Sequence, residues 1–212
     1  MPNKKIIGFD MDGTLIDSID VHLNAFLAAS KQLKLALTKE QIKPLFSLTL
    51  DVLLKKLIPS IDKDTINRFA ALEKENFEKH LNQVKQFADT AEILTLLKKK
   101  YAIILVSNTD YSLILKSLEG AHLNPLFFDL IVSYDLVANP KPYPDELFKA
   151  EKILHHNISY YVGDSIVDIK AGNSAKIKTI GITTGINTRE ELANFKPYAI
   201  INKLSEIPAL LK

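Results

Sequence analysis

Two aspartates one residue apart follow a short apolar run and precede a glycine and a threonine, in the order Asp10-Met11-Asp12-Gly13-Thr14. Carboxylates at such spacing after a strand project to one side and repel each other when both are ionised. A divalent cation relieves that repulsion, and an all-oxygen donor set favours magnesium. Gly13 permits a tight turn, and Thr14 can bond the loop backbone. Taken alone, Asp12-Gly13 also reads as a common turn dipeptide. Three further polar clusters recur along the chain: Ser107-Asn108-Thr109, Lys141 between Pro140 and Pro142, and Gly163-Asp164-Ser165 with Asp168 beyond it. Each has a plain structural reading as well. The first is a possible N-cap cluster, and the second is a solvated lysine on a restricted backbone. Asp164 and Asp168 are expected to share a helix face, where like charges repel unless a cation or a helix N-terminus lies beside them.

For these clusters to act together, the elements before them must deliver them to one place. Apolar runs of strand length occur at 6–9, 102–106, 130–132, 160–162 and 179–182, several with consecutive β-branched residues, as in strands buried on both faces. Helical spacing fills 90–99, 144–155 and 168–175, the second opening on Pro144, Asp145 and Glu146. Alternating strands and helices predict an α/β fold built on a doubly wound parallel sheet. Ligands bind such sheets beyond the carboxyl ends of the strands, where the Asp10, Ser107 and Asp164 clusters fall. The stretch 17–86 breaks the alternation, with helical pattern over 18–35, 39–57 and 62–82 and no convincing strand. It predicts an inserted α-helical cap at 17–86, on a core formed by 1–16 and 87–212.

In this order and context the motifs resemble those of the haloacid dehalogenase (HAD) superfamily of phosphohydrolases. The closest subgroup is the phosphoglycolate phosphatase-like enzymes, whose helical cap is inserted just after the first motif. The resemblance covers nearly the whole chain. It rests on Asp10-Met11-Asp12-Gly13-Thr14-Leu15-Ile16-Asp17-Ser18, Ser107-Asn108, Lys141-Pro142-Tyr143-Pro144-Asp145 and Gly163-Asp164-Ser165-Ile166-Val167-Asp168. It implies a HAD-like, Rossmann-type core, Mg2+ as cofactor, and a role for each motif. Asp10 would be the nucleophile, forming an aspartyl-phosphate and so dividing one hard displacement into two easier ones. Asp12 would protonate the leaving alkoxide and later activate water. Ser107 and the Asn108 main-chain amide would hold phosphoryl oxygens, while Lys141 would offset charge on Asp10 and the phosphate. Asp10, the Asp12 main-chain carbonyl and Asp164 would form the magnesium site, with Asp168 behind them.

The resemblance implies a small phosphorylated metabolite as substrate, a phosphomonoester similar to phosphoglycolate. A phosphomutase similar to β-phosphoglucomutase and a pyrophosphatase on the same scaffold remain alternatives. Two departures from the subgroup bear on the choice. The segment 45–51 carries Ser47 where a glycine is usual, and Leu50 stands near the place where related mutases put an arginine. Phe87-Ala88-Asp89-Thr90 stands where phosphoglycolate relatives favour a Pro-Gly turn. His22, on the first expected cap helix, reads either as an ordinary interhelix residue or as a substrate or hinge contact.

Composition narrows the classes. The formal net charge is +2, too small an excess to argue for nucleic acid or an anionic membrane surface as partner. The absence of cysteine excludes a disulfide framework and a thiolate metal site. Asp10 and Asp12 interrupt the first apolar run before a signal-peptide core can form, and no apolar stretch is long enough to span a bilayer. A cytoplasmic enzyme is expected, as a monomer or weak dimer.

Overall fold

A computed structural model describes residues 4–211; the termini of the expected core, residues 1–3 and 212, lie outside them. The chain opens with β1 (Lys5–Phe9), then a two-residue strand β2 (Ile16–Asp17). Four helices follow: α1 (Ile19–Gln32), α2 (Lys39–Ile42), α3 (Leu50–Leu57) and α4 (Lys63–Glu78). A second short strand, β3 (Lys85–Gln86), pairs antiparallel with β2. The remainder alternates: α5 (Thr90–Lys98), β4 (Tyr101–Ser107), α6 (Tyr111–Gly120), β5 (Leu130–Ser133), α7 (Asp145–Leu154), β6 (Ile158–Gly163), α8 (Ile166–Ser174), β7 (Lys178–Ile182), α9 (Arg189–Ala193), β8 (Ala199–Ile201) and α10 (Ile207–Leu210).

The main sheet runs β5-β4-β1-β6-β7-β8 with every pairing parallel. Its strands are apolar on both sides because helices cover both faces. All seven residues of β4 are buried. In β1, Ile7 and Phe9 enter one apolar cluster with Ile103 and Leu105, while Ile6 enters the opposite one with Ile104 and Val106. Pairing on both edges puts β1 inside the sheet, between β4 and β6. The carboxyl ends of those three strands therefore converge.

The helical segment after β2 has an apolar cluster of its own, in which Leu23 and Phe26 of α1 meet Leu53 and Leu54 of α3 and Phe69 of α4. The Phe26 and Phe69 rings lie 4.5 Å apart. Thr38 begins α2 with a reciprocal capping box to Gln41, and the Asp62 carboxylate accepts from the Thr65 amide to start α4.

Three local expectations need correction. The single helix over 39–57 is interrupted: Pro44, which has no amide hydrogen to donate, lies in a 3-10 turn at Lys43–Leu45, and α3 starts afresh after Thr49. The stretch 17–86 does contain strand, because β2 and β3 tie its two ends together; two-residue strands leave no periodicity to read. Asp164 and Asp168 do not share a helix face. Ser165 is the N-cap of α8, so Asp164 precedes the helix, and Asp168 folds back at its third position to accept from the Ser165 amide. The edge strand β8 and the helix α6 were not anticipated.

Phe69→Ala should destabilise the fold by about 3–5 kcal/mol, the usual cost of emptying a fully buried aromatic site. Urea unfolding checks this, and a loss below about 1 kcal/mol would show that the helical cluster does not anchor the segment.

Candidate active site

Asp10 is the first residue beyond β1, and its amide still donates to Val162 O of β6 at 2.8 Å, so the sheet ladder fixes its backbone. The next residues turn sharply, with Leu15 N donating to Met11 O at 2.9 Å and Ile16 N to the same oxygen at 3.1 Å. Gly13 occupies the turn at φ 78°, and a Cβ there would sit 2.7 Å from Asp164 Oδ2. A Cβ on Gly185 would fall 1.9 Å from the same oxygen, so both positions require glycine for the loops to close around Asp164.

Lys141 is buried in the middle of this assembly. Its Nζ lies 2.7 Å from Asp10 Oδ1, 2.8 Å from Asp168 Oδ1, 2.9 Å from Tyr161 Oη and 3.0 Å from Val106 O. Tyr161 Oη in turn donates to Asp168 Oδ1 at 2.9 Å. The Lys141 main-chain amide donates to Glu146 Oε2 at 2.8 Å, which fixes the backbone that carries the ammonium. Burial pulls the Lys141 pKa down, but Asp10 and Asp168 reverse this and hold it well above the ordinary lysine value. Burial pushes Glu146 up to about 7, against the opposing pull of Lys141.

The carboxylates outnumber the cations. Oxygens of Asp10, Asp164 and Asp168 lie within 4.8 Å of one another, all three residues buried. Burial drives Asp10 well above the normal carboxylate range; Lys141 opposes that, and Asp168 and Asp164 add to it. Asp164 is pushed to about 7 by burial and by Asp168, although the Ile186 amide donates to its Oδ2 at 2.7 Å. Crowded carboxylate oxygens with one lysine among them suit a small divalent cation, whose charge would relieve the repulsion between Asp10 and Asp164. Asp168, bound by Lys141, Tyr161 and both Ser165 donors, has its carboxylate fully engaged and positions the others.

Asp12 faces a different set of partners. Its carboxylate accepts from Ser18 Oγ and, at 3.1 Å, from Thr109 Oγ1, and lies 3.5 Å from His22 Nε2. Burial pushes Asp12 up, but His22, Ser18 and Thr109 outweigh it and leave the carboxyl below its ordinary value. His22 is buried, stacked on Phe77 at 3.8 Å, with Nδ1 3.3 Å from Glu73 Oε1 of α4. Burial lowers the His22 pKa, yet Asp12 and Glu73 together raise it to about 9. The imidazolium therefore bridges the loop after β1 to the last helix of the inserted segment.

Ser107, at the end of β4, is buried, and its Oγ accepts from the Thr109 amide at 3.2 Å. Asn108 Nδ2 donates to Ser47 O and to Lys141 O, each at 2.9 Å, joining the 45–51 loop to the sheet edge. Asn108 Oδ1 is buried with no hydrogen-bond partner. A cavity of about 310 Å³ is lined on one side by Asp10, Asp12, Ser107, Asn108, Lys141 and Asp164. Phe46, Ser47, Leu48 and Leu50 face it from the inserted segment.

All seven residues singled out in the sequence thus meet around one cavity. His22 lines the cavity 3.5 Å from Asp12 and also joins α1 to Glu73 and Phe77 of α4, so it is an interhelix residue placed at the site. Sequence reading gave no role at the site to Tyr161, Glu146, Glu73, Ser18 or Thr109, although Glu146, Ser18 and Thr109 stand in the segments it named. Tyr161 sits in an apolar strand and Glu73 on a charged helix, where neither residue carries a local signal; Thr109 was visible only as a neighbour of Asn108.

The class follows from the topology: a parallel sheet whose central strand delivers an aspartate, with a helical segment inserted directly after it. A family model described as haloacid dehalogenase-like hydrolase matches residues 7–182, and the chain belongs to that family of hydrolases. It is 27% identical over 209 residues to the pyrophosphatase PpaX of Listeria monocytogenes, covering 96% of this chain and 94% of that one. To the pyrophosphatase PpaX of Bacillus mycoides it is 28% identical over 211 residues, with the same coverage of 96% and 94%. Its fold is that of a hydrolase from Pseudomonas syringae, with a TM-score of 0.88, 23% identity and 98% of each chain covered. No described helix is long and apolar enough to cross a membrane.

Two outcomes are expected. In metal-free protein, Lys141→Met leaves Asp10 and Asp168 buried without a cation and should cost about 3–5 kcal/mol by urea unfolding; a cost under about 1 kcal/mol would mean the lysine is not the counter-charge. His22, raised to about 9 from 6.5, contributes stability that is complete below about pH 6.5 and fades as pH climbs through 9. The melting-temperature gap between wild type and His22→Asn should therefore be widest at pH 6 and close toward pH 10. A gap that stays constant over that range would remove the imidazolium bridge.

Proposed function

We propose that the chain is a magnesium-dependent phosphatase that takes the phosphoryl group of a small phosphorylated metabolite onto Asp10 and then releases it to water. The observation that carries this reading is the opposite fate of two neighbouring carboxyls. Asp10 is crowded by acids and held by Lys141, whereas Asp12 is turned onto Ser18, Thr109 and His22. Two carboxyls that face one cavity from different partners are free to take separate roles, one at phosphorus and one at the proton.

Lys141 restrains one Asp10 oxygen and balances its charge, which fixes the direction from which a phosphorus atom is attacked. The carboxylate attacks phosphorus, the bond to the leaving oxygen breaks, and an aspartyl-phosphate forms. The arriving phosphoryl dianion raises the proton affinity of Asp12, which takes up a proton from solvent as the substrate binds and passes it to the leaving alkoxide. In the second half Asp12 takes a proton from water as that water attacks phosphorus and frees Asp10. Ser107 Oγ and the Asn108 amide would receive phosphoryl oxygens. Asp10, the Asp12 main-chain carbonyl and Asp164 would hold Mg2+, with Asp168 orienting Lys141 behind them. Magnesium bound there supplies positive charge to the transferring phosphoryl oxygens.

The segment 17–86 would act as a cap on a core of 1–16 and 87–212, hinged where β2 and β3 pair. Closing it would exclude bulk water from the aspartyl-phosphate until hydrolysis is wanted. A pyrophosphatase uses the same steps with phosphate as the leaving group, and the names of the two PpaX relatives favour that second reading.

Phosphate release from p-nitrophenyl phosphate should require magnesium and stop in EDTA. Asp10→Asn should abolish turnover without unfolding the protein, and Asp12→Asn should slow it by about 10²–10⁴-fold. Turnover that survives Asp10→Asn would end the covalent mechanism, and undiminished release in EDTA would end the metal requirement.

A further inference from the structure

The cavity has two chemically different halves. The sheet-edge half carries the carboxylates, Lys141, Ser107 and Asn108. The half contributed by the inserted segment is walled by Ile19, Phe26, Phe46, Leu48, Leu50 and Leu53. A second anionic group on the substrate would have to be received there, beyond the transferring phosphoryl group.

Each charged side chain on that side is already matched. His22 is divided between Asp12 and Glu73. Lys74 Nζ donates to Ser112 Oγ at 2.7 Å and stands 3.9 Å from Asp110 Oδ1. Glu73 is itself an anion on the cavity wall and would repel another. The chain has only two arginines, the side chain best shaped to grip a carboxylate or phosphate with two hydrogen bonds. Arg68 donates to Thr65 Oγ1 on the exposed face of α4, and Arg189 donates to Ile200 O of β8 and to Asn202 Oδ1; neither lines the cavity. An anion seated against this wall would lose its hydration without a cation in return.

We infer that the substrate is the phosphate monoester of a short, uncharged, hydrocarbon-rich alcohol, selected by the Phe26–Phe46–Leu50 wall, and that substrates with a second anionic group are disfavoured. This rests on the phosphatase reading and specifies its substrate class. It sets the chain apart from what its PpaX relatives' names describe, since pyrophosphate has no apolar part to meet that wall and would bring a second charge toward it. The cavity volume of about 310 Å³ limits the alcohol to a small one, at the low end of the ~300–1,000 Å³ typical of small-molecule sites.

The test is a series in which leaving-group chemistry stays constant while apolar length changes. Ethyl, butyl and hexyl phosphate have alkoxides of similar basicity, so differences in kcat/KM report binding along the wall. Each added methylene should raise kcat/KM about fourfold until the wall is filled. Phosphoglycolate and pyrophosphate should fall at least tenfold below butyl phosphate. Binding without turnover gives a parallel readout. By calorimetry with magnesium, butylphosphonate should bind at least tenfold more tightly than phosphonoacetate or methylenediphosphonate.

Leu50→Arg, with Leu48→Arg as a second variant should the first not fold, should narrow or invert that order by giving an anion a partner. A flat chain-length series, or phosphoglycolate or pyrophosphate at the top of both rankings, overturns the substrate class and leaves the phosphatase standing. If folded wild-type protein neither hydrolyses any of the five phosphates nor binds any phosphonate, the phosphatase reading falls and this inference with it.

Discussion

An ammonium group enclosed by protein carries a large desolvation cost, and it persists only where fixed negative partners meet it. Lys141 satisfies that condition by drawing together four elements that are far apart in the chain: Asp10 after β1, the Val106 carbonyl in β4, Tyr161 in β6 and Asp168 in α8. Each of these contacts has a further consequence. Asp10 is aimed, Asp168 is held by hydrogen bonds within the acidic cluster, and Tyr161 braces both Lys141 and Asp168 from the strand. Glu146 acts on the same residue from behind by binding its main-chain amide.

The second constraint is the separation of Asp12 from Asp10. Two residues apart in sequence, they sit in different electrostatic surroundings because the loop between them turns on Gly13 and delivers the second carboxylate to Ser18, Thr109 and His22. His22 then extends the contact to Glu73, near the far end of the inserted helices. The position of the helical segment over the sheet is thereby tied to the charge state of the group proposed to handle the proton. Asn108 makes a second tie, through Ser47. Chemistry and enclosure are thus coupled through polar contacts at Asp12 and Asn108, beside the apolar packing of Val21, Ala25 and Phe77 on the core.

The inserted segment contributes a wall as well as a lid. Its small apolar cluster holds α1, α3 and α4 together, and part of the same side-chain set also faces the cavity. Packing and recognition therefore draw on the same residues. Leu50, Leu53 and Phe26 are members of both, and the interruption at Pro44 is what frees Phe46, Ser47 and Leu48 to reach the sheet edge.

What the sequence by itself determined was the sheet and the motif ends of its strands. Strands buried on both faces must be apolar throughout, and polar clusters that follow them must emerge at one edge, so Asp10, Ser107 and Asp164 were legible from pattern alone. The family resemblance added a role for each, and for Lys141 and Asp168. What only the tertiary structure decided were contacts between residues that carry no local mark: Tyr161 inside an apolar strand, Glu73 on a charged helix, and the pairing of two-residue strands at the base of the insertion. The placement of Asp164 ahead of α8 did have a local mark, since Ser165-Ile166-Val167-Asp168 has the spacing of a capping box that makes Ser165 the N-cap and starts the helix at Ile166. Local periodicity reports which face of an element is buried, whereas the meeting of His22 with Asp12 and Glu73 depends on how one packed unit sits on another.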